Sequence, residues 1–272
     1  MEKYSVLMSI YRKEKAEYLK LAIESILKQT FPPDEIVIVK DGNLTDELDE
    51  VLNFYSLKCR QLFKIVGYEK NIGLGLALNY GLQYCSNDLV ARMDSDDISK
   101  SERCKKQVEK FTKDGDLSIV GSAVDEFCDD VQHVISRRVV PKKHEEIYEF
   151  AKRRSAFNHP TVMFRKSKVL QFGGYSDLRR NQDVDLFGRM LFGGCKAFNF
   201  EESLLWFRSD DNLSKRRKSW ENTWSYVDTI RRFWKMGYAS FLDFFIVFVA
   251  QTTMFILPIG FQKMIYKKLL RG

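Results

Sequence analysis

"LVARMDSDDIS", residues 89–99, runs from an apolar strand pattern into three carboxylates within four positions, Asp94, Asp96 and Asp97, just after a cation, Arg92. Carboxylates this close repel one another, and each is costly to desolvate unless a cation or strong donors face it. A positive group is therefore expected there. Hard oxygen ligands suit Mn²⁺ or Mg²⁺, and a site of one or two carboxylates suits a metal that substrate phosphates also hold. The same acids also read as an acidic turn ahead of a helix, where negative charge near the N-terminus is favourable without any metal. D-x-D spacing alone does not separate the two readings.

Before this stretch, apolar runs alternate with helical stripes. YSVLMSIY (4–11) reads as a strand, and Leu19, Ala22, Ile23, Ile26 and Leu27 recur at helical spacing. EIVIVKDG (35–42) is a second strand, Leu48, Val51, Leu52 and Tyr55 mark a helix, FKIVGY (63–68) is a third strand and GLALNYGLQYC (75–85) a third helix. With residues 89–94 as a fourth strand, the order implies an α/β fold: a Rossmann-like, mainly parallel sheet with helices on both faces. Its ligand crevice lies at the carboxyl ends of the strands. Asp41 and the Asp94 cluster both stand at such ends.

Beyond the acids, Ser99 and Glu102 have capping-box spacing, which predicts a helix starting right after the cluster, with Asp97 near its cap. Residues 117–140 read as a strand pair around Asp129 and Asp130, and 144–154 as a helix. Leu186, Phe187, Met190 and Leu191 stripe another helix whose first turn holds Asp183 and Asp185. There is no internal repeat and no low-complexity segment.

At 272 residues with 44% hydrophobic content, the chain can bury a full core. Its five scattered cysteines lack any CxxC pair, which argues against a disulfide framework or zinc site and for a reducing compartment. No export signal is visible at the N-terminus. The net charge of +7 is unevenly placed: Lys215 to Gly272 carries eleven Lys or Arg against three acids, leaving the first 214 residues at −1. That asymmetry points to a near-neutral catalytic body and a basic, aromatic tail that docks to something anionic, rather than to nucleic acid.

Several segments, taken in order, resemble the family 2 inverting glycosyltransferases of GT-A fold. "ARMDSDDIS" is similar to the family's D-x-D segment, and "SVLMSIYRKEKAEYLKLAIESILKQT" to its opening strand and helix. "EIVIVKDG" resembles its nucleobase-contacting strand end and "NIGLGLALNYGL" its N-x-G-L-x-x-A-L-N segment. "NHPTVMFRKS", "GGYSD" and "QDVDLFGRM" resemble its acceptor-side stretch and base motif. The resemblance spans roughly residues 4 to 210, and the ordered set is far more specific than any one motif.

The resemblance implies roles. Asp41 would accept from the uracil N3–H, Ser9, Tyr11 and Asn71 would lie along the nucleotide, and Asp94 would contact ribose or sugar. Asp96 would hold Mn²⁺ or Mg²⁺ on the diphosphate, and Arg92 would neutralise nearby charge. Asp183 would be the general base, with Asp185 holding the loop or the acceptor. His159 and Arg208 are candidates for acceptor contact or loop ordering. Each has a plainer reading: Asp41 as a turn residue, Asp183 and Asp185 as helix caps, Gly73 and Gly75 as a tight turn into a helix. Many relatives place a histidine two residues after an arginine where this chain has "WFRSDDNLSKRR", so that ligand is missing: either Asp96, the diphosphate and waters hold the metal, or Asp210 or Asp211 substitutes.

Domain organisation follows: residues 1–214 as the catalytic domain, with a nucleotide-sugar part to about 115 and an acceptor part from about 116, and 215–272 as a basic, aromatic helical region. Phe244 to Leu257 is fourteen residues broken by Gln251, Thr252 and Thr253, short of the ~20 that span a bilayer. Amphipathic helices lying on the membrane, or a helical pair packed on the body, are the two readings. The function implied is transfer of glucose or galactose from a UDP-sugar to a polyprenyl-diphosphate-linked sugar in bacterial O-antigen-type polysaccharide assembly, peripherally at the cytoplasmic face of the inner membrane. The alternatives are a non-catalytic sugar-nucleotide or polyanion binder of the same fold and a nucleotidyltransferase. The latter would be expected to show a Gly-rich, Arg/Lys-bearing phosphate loop near the first strand, and none is seen.

Overall fold

A computed structural model describes residues 1–209 and 219–257. Four strands come first, β1 (Tyr4–Ile10), β2 (Glu35–Asp41), β3 (Phe63–Tyr68) and β4 (Leu89–Asp94), linked by α1 (Ala16–Leu27), α2 (Asp46–Lys58) and α3 (Leu74–Leu82). They pair in parallel in the order β3-β2-β1-β4, as the alternation of patterns predicts. After them come β5 (Ile98–Ser99), α4 (Arg103–Lys113), β6 (Leu117–Phe127), β7 (Val134–Arg138), α5 (His144–Ala151), a 3-10 turn (His159–Thr161) and β8 (Met163–Arg165). The chain continues through α6 (Lys166–Gln171), α7 (Gln182–Phe192), β9 (Lys196–Arg208), α8 (Trp220–Lys235) and α9 (Phe241–Ile256). The sheet is extended past β4 by antiparallel β8, then by β6 and a parallel β9. The expected hairpin is β6 with β7.

Both faces of the sheet are covered, because alternate residues of each strand point to opposite sides. On one face Val6, Met8, Ile36, Ile38, Ala91 and Met93 pack against α1, α2 and α4. On the other, Leu7, Val37, Val39 and Val90 pack against α3, α5 and α7. This second core runs on into α8 and α9 through Ile230, Phe233 and Val247. Gly188 of α7 is what admits α8, since a Cβ there would lie 2.1 Å from the Phe233 ring.

Two expectations around the acidic stretch need correction. Ser99 does not cap the next helix: it lies in β5, which pairs with Leu205 and Trp206 of β9 and so holds the chain extended. Its N–H donates to Ser25 Oγ (3.0 Å) and its hydroxyl accepts from Gln29 Nε2 (3.1 Å). α4 begins at Arg103, and Gln29 Oε1 takes the free Cys104 N–H at 3.0 Å, a cap supplied from another helix. Asp97 does not cap α4 either, because its Oδ1 accepts from the Arg208 N–H at 2.8 Å.

Candidate active site

The carboxyl ends of β1, β2 and β4 and the far end of β9 open onto a cleft of about 510 Å³. Seven expected site residues line it: Ser9, Tyr11, Asp41 and Asn71 on the β1–β2 side, and Asp94, Asp96 and Arg208 opposite. Asp41 is more than a turn residue. Its carboxylate accepts from Ile72 N–H (2.8 Å), Gly73 N–H (3.1 Å) and Asn71 Nδ2 (2.8 Å), so it pins the loop that leads into α3.

At the end of β4 the buried Arg92 guanidinium grips both oxygens of Asp94. Behind it, buried Arg103 donates to the Arg92 carbonyl at 2.6 Å, which fixes the strand end. Asp94, Asp96 and Asp97 offer carboxylate oxygens that all lie within 4.8 Å of one another. Burial, then the charges of Asp94 and Glu14, push Asp96 up to about 7. Burial and its two acidic neighbours push Asp97 well above the usual carboxylate range. Asp97 Oδ2 is buried without a hydrogen-bond partner. Three crowded carboxylates, one of them with a buried and unsatisfied oxygen, suit a hard divalent cation, so the residues fit such an ion.

Arg208 clasps this loop rather than opposing it as a free charge. Besides its N–H on Asp97, its Nε donates to the Asp96 carbonyl (2.9 Å) and Nη1 to the Cys128 carbonyl (3.1 Å). Its guanidinium lies 3.9 Å from the Tyr18 ring centroid. Asp210 and Asp211 fall outside the described residues, so the substitute ligand expected there has no position to report.

Arg92, His159, Asp183 and Asp185 do not line the cleft. Asp183 sits partly buried in the first turn of α7, where burial raises its pKa. Backbone N–H groups of the helix start and the Arg92 charge oppose that rise, and Asp94 adds to it. Asp183 therefore shares one electrostatic environment with the Arg92–Asp94 pair. His159 is buried, its Nε2 2.9 Å from the Tyr175 hydroxyl, and burial with the nearby Arg92 charge holds it well below the usual imidazole value. Asp185 faces elsewhere: it accepts from Ser176 Oγ (2.5 Å) and Arg189 Nε (2.9 Å) and pairs with Arg232 of α8 (3.2 Å). Its position is that of a loop-holding residue.

Reading the residues alone missed Lys13, Glu14, Lys15 and Ser95, all of which line the cleft. Glu14 Oε2 accepts from Ser95 Oγ at 3.0 Å. The available signal was positional: "YRKEK" follows β1 at the same carboxyl edge that singles out Asp41. Tyr175 and Asn79 were quoted within motifs but given no role.

The mainly parallel sheet thus carries a polar cleft at its strand ends and a cation-ready acidic loop beside it. The family described as Glycosyl transferase family 2 matches residues 5–178, and the chain belongs to that family. An Escherichia coli protein, UDP-Gal:alpha-D-GlcNAc-diphosphoundecaprenol beta-1,3-galactosyltransferase, is 36% identical over 271 residues, 99% of this chain and 97% of its own. The amylovoran biosynthesis glycosyltransferase AmsE of Erwinia amylovora is 33% identical over 269 residues, covering 99% of this chain and all of its own. Among solved structures, the mannosyltransferase PcManGT from Pyrobaculum calidifontis, in complex with GDP-Man and Mn²⁺, superposes with a TM-score of 0.66 at 15% identity over 96% of this chain and 72% of its own. S. aureus TarS 1–349 with UDP-GlcNAc gives 0.64 at 16% identity over 98% and 71%. These two likenesses speak for the fold.

Proposed function

We propose that this glycosyltransferase moves a hexose, glucose or galactose, from a UDP-sugar to a sugar carried on polyprenyl diphosphate, by single displacement with inversion. The near-full-length likeness to the Escherichia coli galactosyltransferase supports the donor and acceptor classes. The observation that carries the chemistry is Asp183, partly buried in the first turn of α7 and within electrostatic reach of the Arg92–Asp94 pair, with the acidic loop at the end of β4.

In this reading Asp183 takes the proton from the acceptor hydroxyl as that oxygen attacks the anomeric carbon. Its raised pKa makes it a better proton acceptor than an ordinary aspartate. Asp94, held by Arg92, orients the sugar or ribose hydroxyls. Asp41 receives the uracil N3–H while its loop contacts keep that oxygen in place, and Ser9, Tyr11 and Asn71 line the nucleotide. Asp96, with Asp94 and Asp97 beside it, would hold Mn²⁺ or Mg²⁺, and such an ion would supply positive charge to offset that of the leaving diphosphate. Lys13 and Lys15 stand at the same rim to face phosphate. His159 and Arg208 order the surrounding loops, and Asp185 ties the base helix to α8.

The reaction would take place at the cytoplasmic face of the membrane, with the protein peripheral. Among the described residues no helix is long and apolar enough to cross a membrane. Yet α9 turns Phe241, Leu242, Phe245, Ile246 and Val249 outward, and α8 exposes Trp220 and Trp224. Aromatic and aliphatic side chains of this kind favour the headgroup zone. Residues 1–214 are then the catalytic domain and 215–272 its membrane-facing region.

The deciding experiment incubates the protein and Mn²⁺ with UDP-galactose or UDP-glucose and a GlcNAc-diphosphate-alkyl acceptor, reading UDP release, product mass and anomeric configuration. Transfer with inverted configuration is expected. A retained configuration would exclude single displacement, and no transfer from either donor would exclude the donor class.

A further inference from the structure

We propose that Asn79 is a positioning residue that sets the loop carrying Tyr175, and with it the start of α7 and Asp183, against the donor side of the cleft. The proposal rests on Asp183 being the base. Asn79 lies in the second turn of α3, the helix whose entry loop Asp41 pins. Its amide clamps one residue of the acceptor half with two bonds: Nδ2 donates to the Tyr175 carbonyl at 2.7 Å and Oδ1 accepts from the Tyr175 N–H at 2.8 Å. The two residues are 96 apart in the chain. A side-chain amide that satisfies both backbone groups of one residue reproduces a sheet-like pairing and leaves little freedom along or across it.

The clamp is built into its surroundings. Gly174, at φ +68°, brings the backbone so near that a Cβ there would stand 2.5 Å from Asn79 Oδ1. One turn earlier, a Cβ on Gly75 would stand 3.1 Å from the Ser176 carbonyl and 3.2 Å from Gln182 Cγ, the residue just before Asp183. From the opposite side, Arg189 of α7 donates to the carbonyls of Phe172 and Gly174, and Asp185 receives Ser176 Oγ. Residues 172–176 are thus a wedge gripped by α3 on one flank and α7 on the other, and Tyr175 passes the constraint on to His159. Among the described residues Asn79 does not line the cleft and its side chain bonds to Tyr175, so its influence falls on the distance between the two halves of the site.

Asn79→Ala removes the clamp. The isosteric Asn79→Asp keeps an acceptor for the Tyr175 N–H but sets an oxygen against its carbonyl, and serves as the second variant should the first fail to fold. Both would be measured for UDP affinity by calorimetry, and for kcat and KM with whichever of UDP-galactose or UDP-glucose the unaltered protein uses. A misplacement of about 1 Å far from the chemistry can cost about 100-fold, so kcat should fall about 10- to 100-fold while UDP affinity and donor KM stay within about twofold. Two results would overturn the proposal: kcat within about twofold in a folded variant while Asp183→Asn abolishes turnover, or UDP affinity falling in step with kcat. Unchanged turnover in Asp183→Asn would instead remove the base assignment, and this proposal with it.

Discussion

Around the cleft, three charged side chains are held by identifiable partners: Arg92 beneath Asp94, Arg208 against Asp97 and Cys128, Asp41 across Asn71, Ile72 and Gly73. On α8 and α9 the polar links also face the body, Arg232 to Asp185 and Asp243 to Arg153, but the outward surface is aromatic and aliphatic. The difference separates two kinds of work. In the cleft, on the proposed reading, position and chemistry are carried by the same residues, so a change of one atom should reach the reaction. In the helical pair the inner surface carries stability, and the outer surface is left to meet something else.

The sharpest way to break this contrast is Asp183→Asn, which should lower kcat about 10² to 10⁴-fold and leave UDP affinity within a few-fold. Near-normal turnover would remove Asp183 as the base. Next in size is Phe233→Ala on the inner face of α8: its ring is fully buried over Gly188, and losing it should cost about 3–5 kcal/mol in urea unfolding. A cost below about 1 kcal/mol would make the helical pair an appendage.

The acidic loop supplies a third test, with a sign. Because the folded pKa of Asp96 lies near 7, above its unfolded value, the metal-free protein is favoured by the protonated form and loses that stability as pH rises from about 4 through about 7. Mn²⁺ should therefore raise the Tm by a few degrees at about pH 7.5 and far less at about pH 5. An equal shift at both would remove the loop as the cation site.

The smallest expected change in stability, and the one that sharpens the contrast most, is Phe241→Ser with Phe245→Ser. Both rings are at least half exposed, at 57% and 50%. Unfolding should move by no more than about 0.5 kcal/mol per site, while sedimentation with phosphatidylglycerol vesicles drops. High salt should weaken that sedimentation only in part, since screening acts on the Coulomb contribution and leaves the apolar one. Undiminished vesicle binding would take the membrane role away from this face.

Local sequence carried the parallel half of the fold because each of β1 to β4 is a short, mostly apolar run, β2 and β4 end on an aspartate, and each connecting helix shows its stripe. The cleft residues at those strand ends were legible for the same reason. What was not legible depends on partners far along the chain. Ser99 has the spacing of a cap, yet β9 draws it into a strand, and only Gln29, 75 residues before Cys104, reveals what caps α4. The two acids of "QDVDL" look alike in sequence, and only the packing of α8 shows that Asp185 turns to Arg232, while Asp183 feels the charges of Arg92 and Asp94.

The clasp of Arg208 on Asp97 joins positions 111 residues apart, and β5 is closed by the same late strand. Translation runs from the N-terminus, and local pairings form before distant ones because loop closure costs entropy in advance. All of β1 to β4, together with the acidic loop, leaves the ribosome long before β9 does. A nascent chain that ends before Lys196 holds its three aspartates without the amide and guanidinium that gather them, and it should bind Mn²⁺ no more tightly than loose carboxylates do. In time, then, the acidic loop is written early and closed late, when β9 arrives to pair with β5 and to bring Arg208 onto Asp97.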